Sequence, residues 1–231
     1  MNFKHIFFDL DNTLWDHRRN AYLTLNDIYL REEIGSLYNL QFEEFHSRYH
    51  IINEDLWAKI RDEEIDKEYL RKYRFLNTFR HFGIEDEVLA AKFEKNFLDE
   101  IITYNEVVPG ARELLTYLSD KGYTLHIITN GFHEVTQRKI DGAQINHFFD
   151  VVVCADDVGV RKPNPKIFDH ALKLAGAEKA ESILIGDDWI ADVKGAQNFG
   201  MDVIFFDALN EKPQEEGLKV VDGLAEIQKF L

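Results

Sequence analysis

Cysteine, proline and positive charge are all scarce in this chain of 231 residues. Cys154 is the only cysteine, so neither an intrachain disulfide nor a cage of thiolates can form. Lying in the apolar run Asp150–Cys154, it reads as an ordinary buried thiol. Lys and Arg number 27 against 42 Asp and Glu, a formal net charge of −15. That balance argues against a nucleic-acid polymer or an anionic membrane as partner, because both demand concentrated positive charge. A small phosphorylated metabolite is not excluded, provided its site supplies cations of its own. No apolar run approaches the roughly 20 residues of a membrane helix, and Asp9 interrupts the one segment that could resemble a leader. The expectation is a soluble cytoplasmic protein, a monomer or a homodimer, with apolar content ample for a sizeable core.

The shortage of proline and glycine is local as well as general. Between residues 16 and 106 there is no proline, and only Gly35 and Gly83. Apolar residues recur there at helical spacing: Tyr22, Leu25, Ile28 and Tyr29; Phe42, Phe45, Tyr49 and Ile52; Tyr69, Tyr73, Leu76 and Phe79; Val88, Leu89, Phe93, Phe97 and Ile101. Stripes of this kind predict an all-helical bundle, with Gly83 ending one helix as its C-cap.

On both sides of that segment the pattern is different. Ile6, Phe7 and Phe8 form an apolar run without alternation, the mark of a parallel strand covered on both faces. From Val107 onward, strand and helix patterns alternate. Pro109, as the first helical residue, opens a helix to Asp120. Strands are expected at Thr124–Thr129, Val151–Cys154, Ile183–Ile185 and Val203–Phe206, and helices at His133–Asp141 and Ile167–Leu174, with one more helix between the last two strands. Residues 207 to 219 read as a polar loop before a short terminal helix. Alternation of this kind predicts an α/β fold with a Rossmann-like parallel sheet. Its core comprises residues 1–15 and 107–231, interrupted by an inserted helical domain at 16–106.

Polar residues of a consistent kind stand just beyond the predicted strands. Asp9 and Asp11 follow the first, Thr129 and Asn130 the second, Lys162 lies in the loop after the third, and Asp187, Asp188 and Asp192 follow the fourth. In an open parallel sheet such ends gather on one edge, where ligands bind. Carboxylates with room for water suit Mg²⁺, which takes one or two carboxylates plus substrate oxygens. Thr129, with the amides of the strand-to-helix turn at Asn130, can cradle an anion, and Lys162 supplies a point charge for a phosphate oxygen. Phosphoryl transfer needs this set. Each piece alone is ordinary turn or cap chemistry: Asp188, for instance, could simply cap the next helix. The succession of four is what carries the reading.

Together, Asp9-Leu-Asp11-Asn-Thr13-Leu14, Thr129-Asn-Gly131, Lys162-Pro163 and Gly186-Asp187 followed by Asp192 resemble the motif set of the haloacid dehalogenase superfamily over essentially the whole chain. The insert resembles that superfamily's helical C1 cap, which closes over the site and selects substrates. The resemblance implies an Asp9 nucleophile that forms an aspartyl phosphate. It implies that Asp11 protonates the leaving group and then activates water, and that role requires a pKa raised by the neighbouring carboxylate and by cap closure. Thr129, Asn130 and Lys162 would bind the phosphoryl group. Mg²⁺ would lie between Asp9, the backbone carbonyl of Asp11, and Asp187; Asp192 would orient a ligand or a metal-bound water, with Asp188 as an alternative ligand. Members that cleave carbon–halogen bonds typically lack the second Asp, so Asp11 favours phosphate chemistry. Trp189 has no counterpart in the motif.

Three stretches, Ile128–Phe132, Val158–Phe168 and Asn53–Trp57, look like the pyrimidine 5′-nucleotidase branch of that superfamily. The expected activity is therefore hydrolysis of a phosphoric monoester, a nucleoside 5′-monophosphate first, with Asn53 and Trp57 as specificity residues. A sugar-phosphate phosphatase of the N-acylneuraminate-9-phosphatase type, whose Gln-Arg resembles Gln137-Arg138, is the alternative, followed by a phosphomutase or a non-catalytic phosphate-binding module. Trp15, Trp57, Tyr49 and Phe75 could stack on a base, but aromatics at helical spacing more often pack a core. Arg18, Arg19, Arg61 and Arg74 could touch a substrate, but arginines on helices usually form a solvated face.

Overall fold

A computed structural model describes residues 3–210 and 215–231. The chain divides into two compact units, Met1–His17 with Asn105–Leu231, and Arg18–Tyr104.

The first unit is built on six parallel strands: β1 (His5–Phe8), β2 (Thr124–Thr129), β3 (Phe149–Cys154), β4 (Ser182–Gly186), β5 (Asp202–Phe206) and β6 (Lys219–Val221). Their order across the sheet is β3-β2-β1-β4-β5-β6. The chain therefore runs outward from β1 in one direction, then returns to β1's other flank at β4, which is where an open α/β sheet forms a ligand crevice. Alternate strand residues explain why the strands look uniformly apolar. Phe7, Ile128, Val153, Leu184 and Phe205 join a core with Ile167, Phe168 and Val193. Their neighbours Ile6, Phe8, Ile127, Ile185 and Ile204 are just as buried, so both faces of the sheet are covered.

Local chemistry sets the element ends. Pro109 is not the first residue of its helix: α6 runs Ala111–Asp120, because Gly110 at φ 85° takes a left-handed turn that no helix can include. Helix α7 spans His133–Gly142 and α8 is the short Ala155–Val158. Helix α9 (Pro165–Ala175) starts two residues before the expected Ile167, with Pro165 in its first turn and the Asn164 side chain accepting from the Lys166 amide at 3.1 Å. The helix expected after β4 is a π-helical stretch, Trp189–Lys194, that runs into α10 (Gly195–Phe199). The polar loop expected at 207–219 holds a surprise at its end, since Lys219–Val221 forms an edge strand beside β5. Three residues are too few to show a period. Residues 211–214 of that loop lie outside the described residues. The terminal helix is a 3₁₀ stretch, Leu224–Lys229.

The second unit holds most of α1 (His17–Arg31), then α2 (Ile34–Tyr38), α3 (Phe42–Arg61), α4 (Lys67–His81) and α5 (Glu87–Glu100). Asp66 and Asp86 cap α4 and α5 by accepting amide hydrogens from Tyr69 and Leu89. Gly83, at φ 74°, follows α4 directly after its last cap residue Phe82. The interior is aromatic: Phe45, Tyr49, Phe75, Phe79, Phe93 and Phe97 pack ring against ring, Tyr49 stacking on Phe75 at 5.1 Å. Two stripes are rotated from expectation. On α4 the buried face is Leu70, Arg74, Phe75, Leu76, Thr78 and Phe79, so Leu76 and Phe79 lie inside as expected while Tyr69 is exposed. On α5, Phe93 and Phe97 are buried as expected, but so is Ala90, and Val88 is 80% exposed. Arg74 explains the first rotation. Instead of joining a solvated face, it is buried in a bidentate pair with Glu94 at 2.6 and 2.8 Å, over the ring of Phe97. A helical wheel counts such a residue as polar and turns the face away from it. No helix among the described residues is long and apolar enough to cross a membrane.

Candidate active site

Three adjacent strands, β2, β1 and β4, end together. Asp9 follows β1 directly, its amide donating to the carbonyl of Ile185 on β4 at 2.9 Å. The chain then closes a tight turn in which Leu10 accepts from the amides of Leu14 and Trp15, and Asn12 donates to Trp15. Asn12 sits at φ 64°, a left-handed conformation that Asn tolerates better than most residues. Leu10, Thr13, Leu14 and Trp15 are buried and anchor the turn, which leaves Asp9 and Asp11 projecting from a fixed frame. Thr13 adds a tie to the next strand end, donating from Oγ1 to Asp187 Oδ1 at 3.1 Å.

Lys162 reaches this edge from the loop before α9 and is 1% exposed. Its ammonium donates to Asp9 Oδ1 at 2.6 Å and to the Ile128 carbonyl at 2.7 Å, and forms an ion pair with Asp192 Oδ1 at 2.7 Å. Burial works against the charge, but Asp192 and Asp9 outweigh it and raise its pKa. Asn130 sets the reach of this lysine. Its Oδ1 accepts from the Lys162 amide at 2.7 Å and its Nδ2 donates to the Lys162 carbonyl at 3.0 Å. Asn130 therefore clamps the lysine-bearing loop. Thr129, 1% exposed, accepts from the Gly131 amide at 3.0 Å, so that amide is already engaged by the threonine hydroxyl within the turn.

The carboxylates of Asp9, Asp187 and Asp192 bring oxygens within 4.8 Å of one another. Asp192 is fully buried, and its Oδ2 accepts from the Asp188 amide at 3.0 Å. Gly186 makes this fold-back possible, because a Cβ there would stand 2.3 Å from Asp192 Oδ2. Burial is the largest influence on Asp9, and with Asp192 it raises that carboxyl to about 7 against the pull of Lys162. Asp192 is also raised, by burial first. Three hard oxygen donors, two of them held up by burial, form a donor set that a divalent cation would fit.

Asp188 does something else. Its Oδ1 accepts from the amides of Ile190 and Ala191 at 2.8 and 2.7 Å, capping the π-helical stretch. Trp189 packs edge-on against Phe205 at 5.6 Å and lies under the Lys194 ammonium. It is a packing residue at the start of that helix.

Asp11 departs from expectation. Burial raises its pKa, but Lys139 and then His17 outweigh it, and the carboxyl is held below its ordinary value rather than above it. The reason is a lysine that pattern reading passed over. Lys139, on the buried face of α7, places Nζ 2.6 Å from Asp11 Oδ1. It stands ten positions beyond Thr129 in an unremarkable Gln-Arg-Lys sequence; the one available signal was its place on the apolar face of α7 between Thr136 and Ile140. Trp15 is fully buried, with the Lys139 ammonium 4.6 Å over its ring. Like Tyr49 and Phe75, it packs. Asn53 is buried on α3 and Trp57 is half-buried. Cys154 is buried as expected, and burial pushes its thiol up to about 11.

A model of the haloacid dehalogenase-like hydrolases matches residues 3–200. The chain is 29% identical to the pyrimidine 5′-nucleotidase YjjG of Escherichia coli over all of this chain and 99% of that protein. It is 31% identical to a glyceraldehyde 3-phosphate phosphatase of Methanothermobacter thermautotrophicus over 99% of both. The magnesium-bound crystal structure of the putative HAD-hydrolase YfnB of Bacillus subtilis superposes with a TM-score of 0.89 at 21% identity, covering all of this chain and 99% of that one. With the strand order and the clustered carboxylates already in place, the match across most of the chain settles the family: this protein belongs to the haloacid dehalogenase-like hydrolases.

Proposed function

We propose that this hydrolase is a Mg²⁺-dependent phosphatase that cleaves a small phosphomonoester by way of an aspartyl phosphate. The observation that carries this reading is the presence of two differently held carboxylates on one turn. Asp9 lies among Asp187, Asp192 and Lys162, while Asp11 is paired with Lys139. A dehalogenase has use for the first and none for the second.

Asp9 attacks phosphorus, and Lys162, already hydrogen-bonded to Asp9, screens the repulsion between a carboxylate and a phosphate dianion. Asp9, Asp187 and the Asp11 carbonyl would hold Mg²⁺, which would supply further neutralisation of the same charge. Asp192 orients the set from below through Lys162 and the Asp188 amide. Thr129 and the backbone amide of Asn130 hold the phosphoryl oxygens, the Asn130 side chain being committed to the Lys162 loop. Asp11 donates a proton to the departing alkoxide, then takes one from the water that hydrolyses the intermediate. The arriving dianion opposes the influence of Lys139 and lifts the Asp11 carboxyl toward the protonated state that donation requires.

The substrate we favour is a nucleoside 5′-monophosphate, on the full-length similarity to a pyrimidine 5′-nucleotidase and on the Asn53–Trp57 stretch. A small sugar or triose phosphate is the second reading, on the similarly full-length relation to a glyceraldehyde 3-phosphate phosphatase. Phosphate release from a panel of both classes, with and without Mg²⁺, on the native protein and Asp9→Asn, tests the proposal. Expected are metal-dependent release, its loss in Asp9→Asn, and a preference for nucleotides that Trp57→Ala reorders. No release from any ester by folded protein would sink the phosphatase reading, and an unchanged ranking in Trp57→Ala would remove Trp57 from specificity.

A further inference from the structure

We propose that Lys139 is a positioning residue: by tying back one oxygen of Asp11 it aims the other at the Thr129–Gly131 turn. The inference rests on the leaving-group role proposed for Asp11.

Lysine is rarely buried without cause, since an ammonium removed from water needs a partner to offset its desolvation. Lys139 is 5% exposed on α7, and its Nζ lies 2.6 Å from Asp11 Oδ1. His17 Nδ1 approaches the same oxygen at 3.9 Å. The second carboxylate oxygen faces elsewhere. A Cβ at Gly131 would lie 3.5 Å from Asp11 Oδ2 and 3.2 Å from Thr129 Oγ1, so Oδ2 and the threonine hydroxyl border the same small volume above the glycine. One oxygen of Asp11 is thus tethered and the other is presented to the turn that carries Thr129.

The tether is rigid at both ends. Trp15 closes the Asp11 turn, is fully buried, and presents its ring to the lysine ammonium at 4.6 Å. On the other side, α7 is anchored by its buried face of Val135, Thr136 and Ile140, so the lysine is aimed by backbone as well as by charge. An exposed ion pair would hold nothing in place, because solvent and side-chain entropy would dissolve it. This one is held between an indole and a helix. Removing the lysine frees the Asp11 carboxylate to rotate. The loss then falls on the step that needs an oriented proton donor, while Asp9, Lys162 and the carboxylate cluster are left as they were.

That selectivity gives the test. Single-turnover phosphoenzyme formation is measured on the Mg²⁺-loaded protein with two esters, p-nitrophenyl phosphate, whose leaving group needs little protonation, and an alkyl phosphate, whose leaving group needs it fully. Lys139→Met should slow the alkyl ester on the order of 100-fold, the scale of general-acid assistance, with KM nearly unchanged, and should slow the aryl ester about threefold or less. Lys139→Arg should restore most of the alkyl rate, and Lys139→Gln serves in place of Met if that variant does not fold. Equal losses on both esters would overturn the proposal. Asp11→Asn, run in parallel, separates the two levels. If it shows the leaving-group dependence and the Lys139 variants do not, only the positioning role falls. If Asp11→Asn lacks it too, the proposed role of Asp11 falls and takes this inference with it.

Discussion

Gly186 shows how a single residue governs the charge cluster. It ends β4, and its missing side chain is the space into which Asp192 folds to meet Lys162. Gly186→Ala would place a methyl group 2.3 Å from the Asp192 carboxylate. Asp192 must then swing out, leaving the buried ammonium with one carboxylate instead of two. The expected cost is about 1–3 kcal/mol of stability from overpacking, together with a loss of turnover of at least about tenfold from misplacing Lys162. Chemical denaturation and steady-state kinetics on the variant check both, and a fully active, equally stable Gly186→Ala would show that Asp192 is not needed where it lies. Pattern reading singled out Gly186-Asp187 and Asp192 as a spacing. That the glycine is there for the second aspartate, not for its own backbone angle, is visible only in three dimensions.

At the scale of elements, the π-helical stretch Trp189–Lys194 decides between two readings of Asp188. A metal ligand and a helix cap are both reasonable for an Asp after a strand. Here its Oδ1 accepts two amides of the helix start, and the next carboxylate oxygens in reach of a cation belong to Asp187 and Asp192. Asp188→Ala should therefore cost about 1 kcal/mol of stability, the usual worth of an N-cap, and change Mg²⁺ affinity by less than about twofold. Isothermal titration on the variant checks this, and a tenfold weaker affinity would return Asp188 to the metal. Asn130 acts between elements in a comparable way. Asn130→Ala removes both hydrogen bonds to the Lys162 backbone and should lower stability by about 1–3 kcal/mol. Turnover should fall with it, as the lysine loop loses its register; a thermal melt paired with the kinetics would detect either effect alone.

For the molecule as a whole, stability should carry the signature of a buried histidine. His126, in the middle of β2, is fully buried against Phe7 and hydrogen-bonded to His5 at 3.0 Å. Burial, then His5, lowers its pKa to about 4. Because the unfolded chain takes up that proton near 6.5 and the folded chain does not, stability falls as pH drops from about 6.5 to about 4 and then levels. The sign follows from the unfolded state binding more protons across that window. Replacing His126 by Leu removes the dependence, so the difference in unfolding free energy between the two proteins should shift by about 3 kcal/mol between pH 7 and pH 4, in favour of the variant at low pH. Denaturant unfolding at the two pH values measures it, and a constant difference would mean that His126 titrates normally in the folded state. The net charge of −15 sets a second property of the whole: with so few phosphate-neutralising groups, duplex DNA at low salt should produce no change in fluorescence anisotropy on adding the protein.

Much of this was legible in one dimension because the information is periodic or punctual. Apolar runs without alternation announced parallel strands, stripes at i, i+3 and i+4 announced the helical segment, and the carboxylates after β1 and β4, Thr129 after β2 and Lys162 gave themselves away by standing where strands end. Covalent neighbours and local spacing are sufficient for such features. Other features depended on which remote atoms meet. The edge strand at Lys219–Val221 is too short to carry a period and exists because β5 offers it a partner. Arg74 is buried because Glu94, twenty residues on, is there to match its two N–H groups. Above all, Asp11 is held in its lowered state by a lysine 128 residues away. Hydrophobic periodicity is a property of the chain, and the sequence by itself determined it. Electrostatic pairing and desolvation depend on distances that only folding creates, so the state of each carboxylate was decided by the tertiary structure.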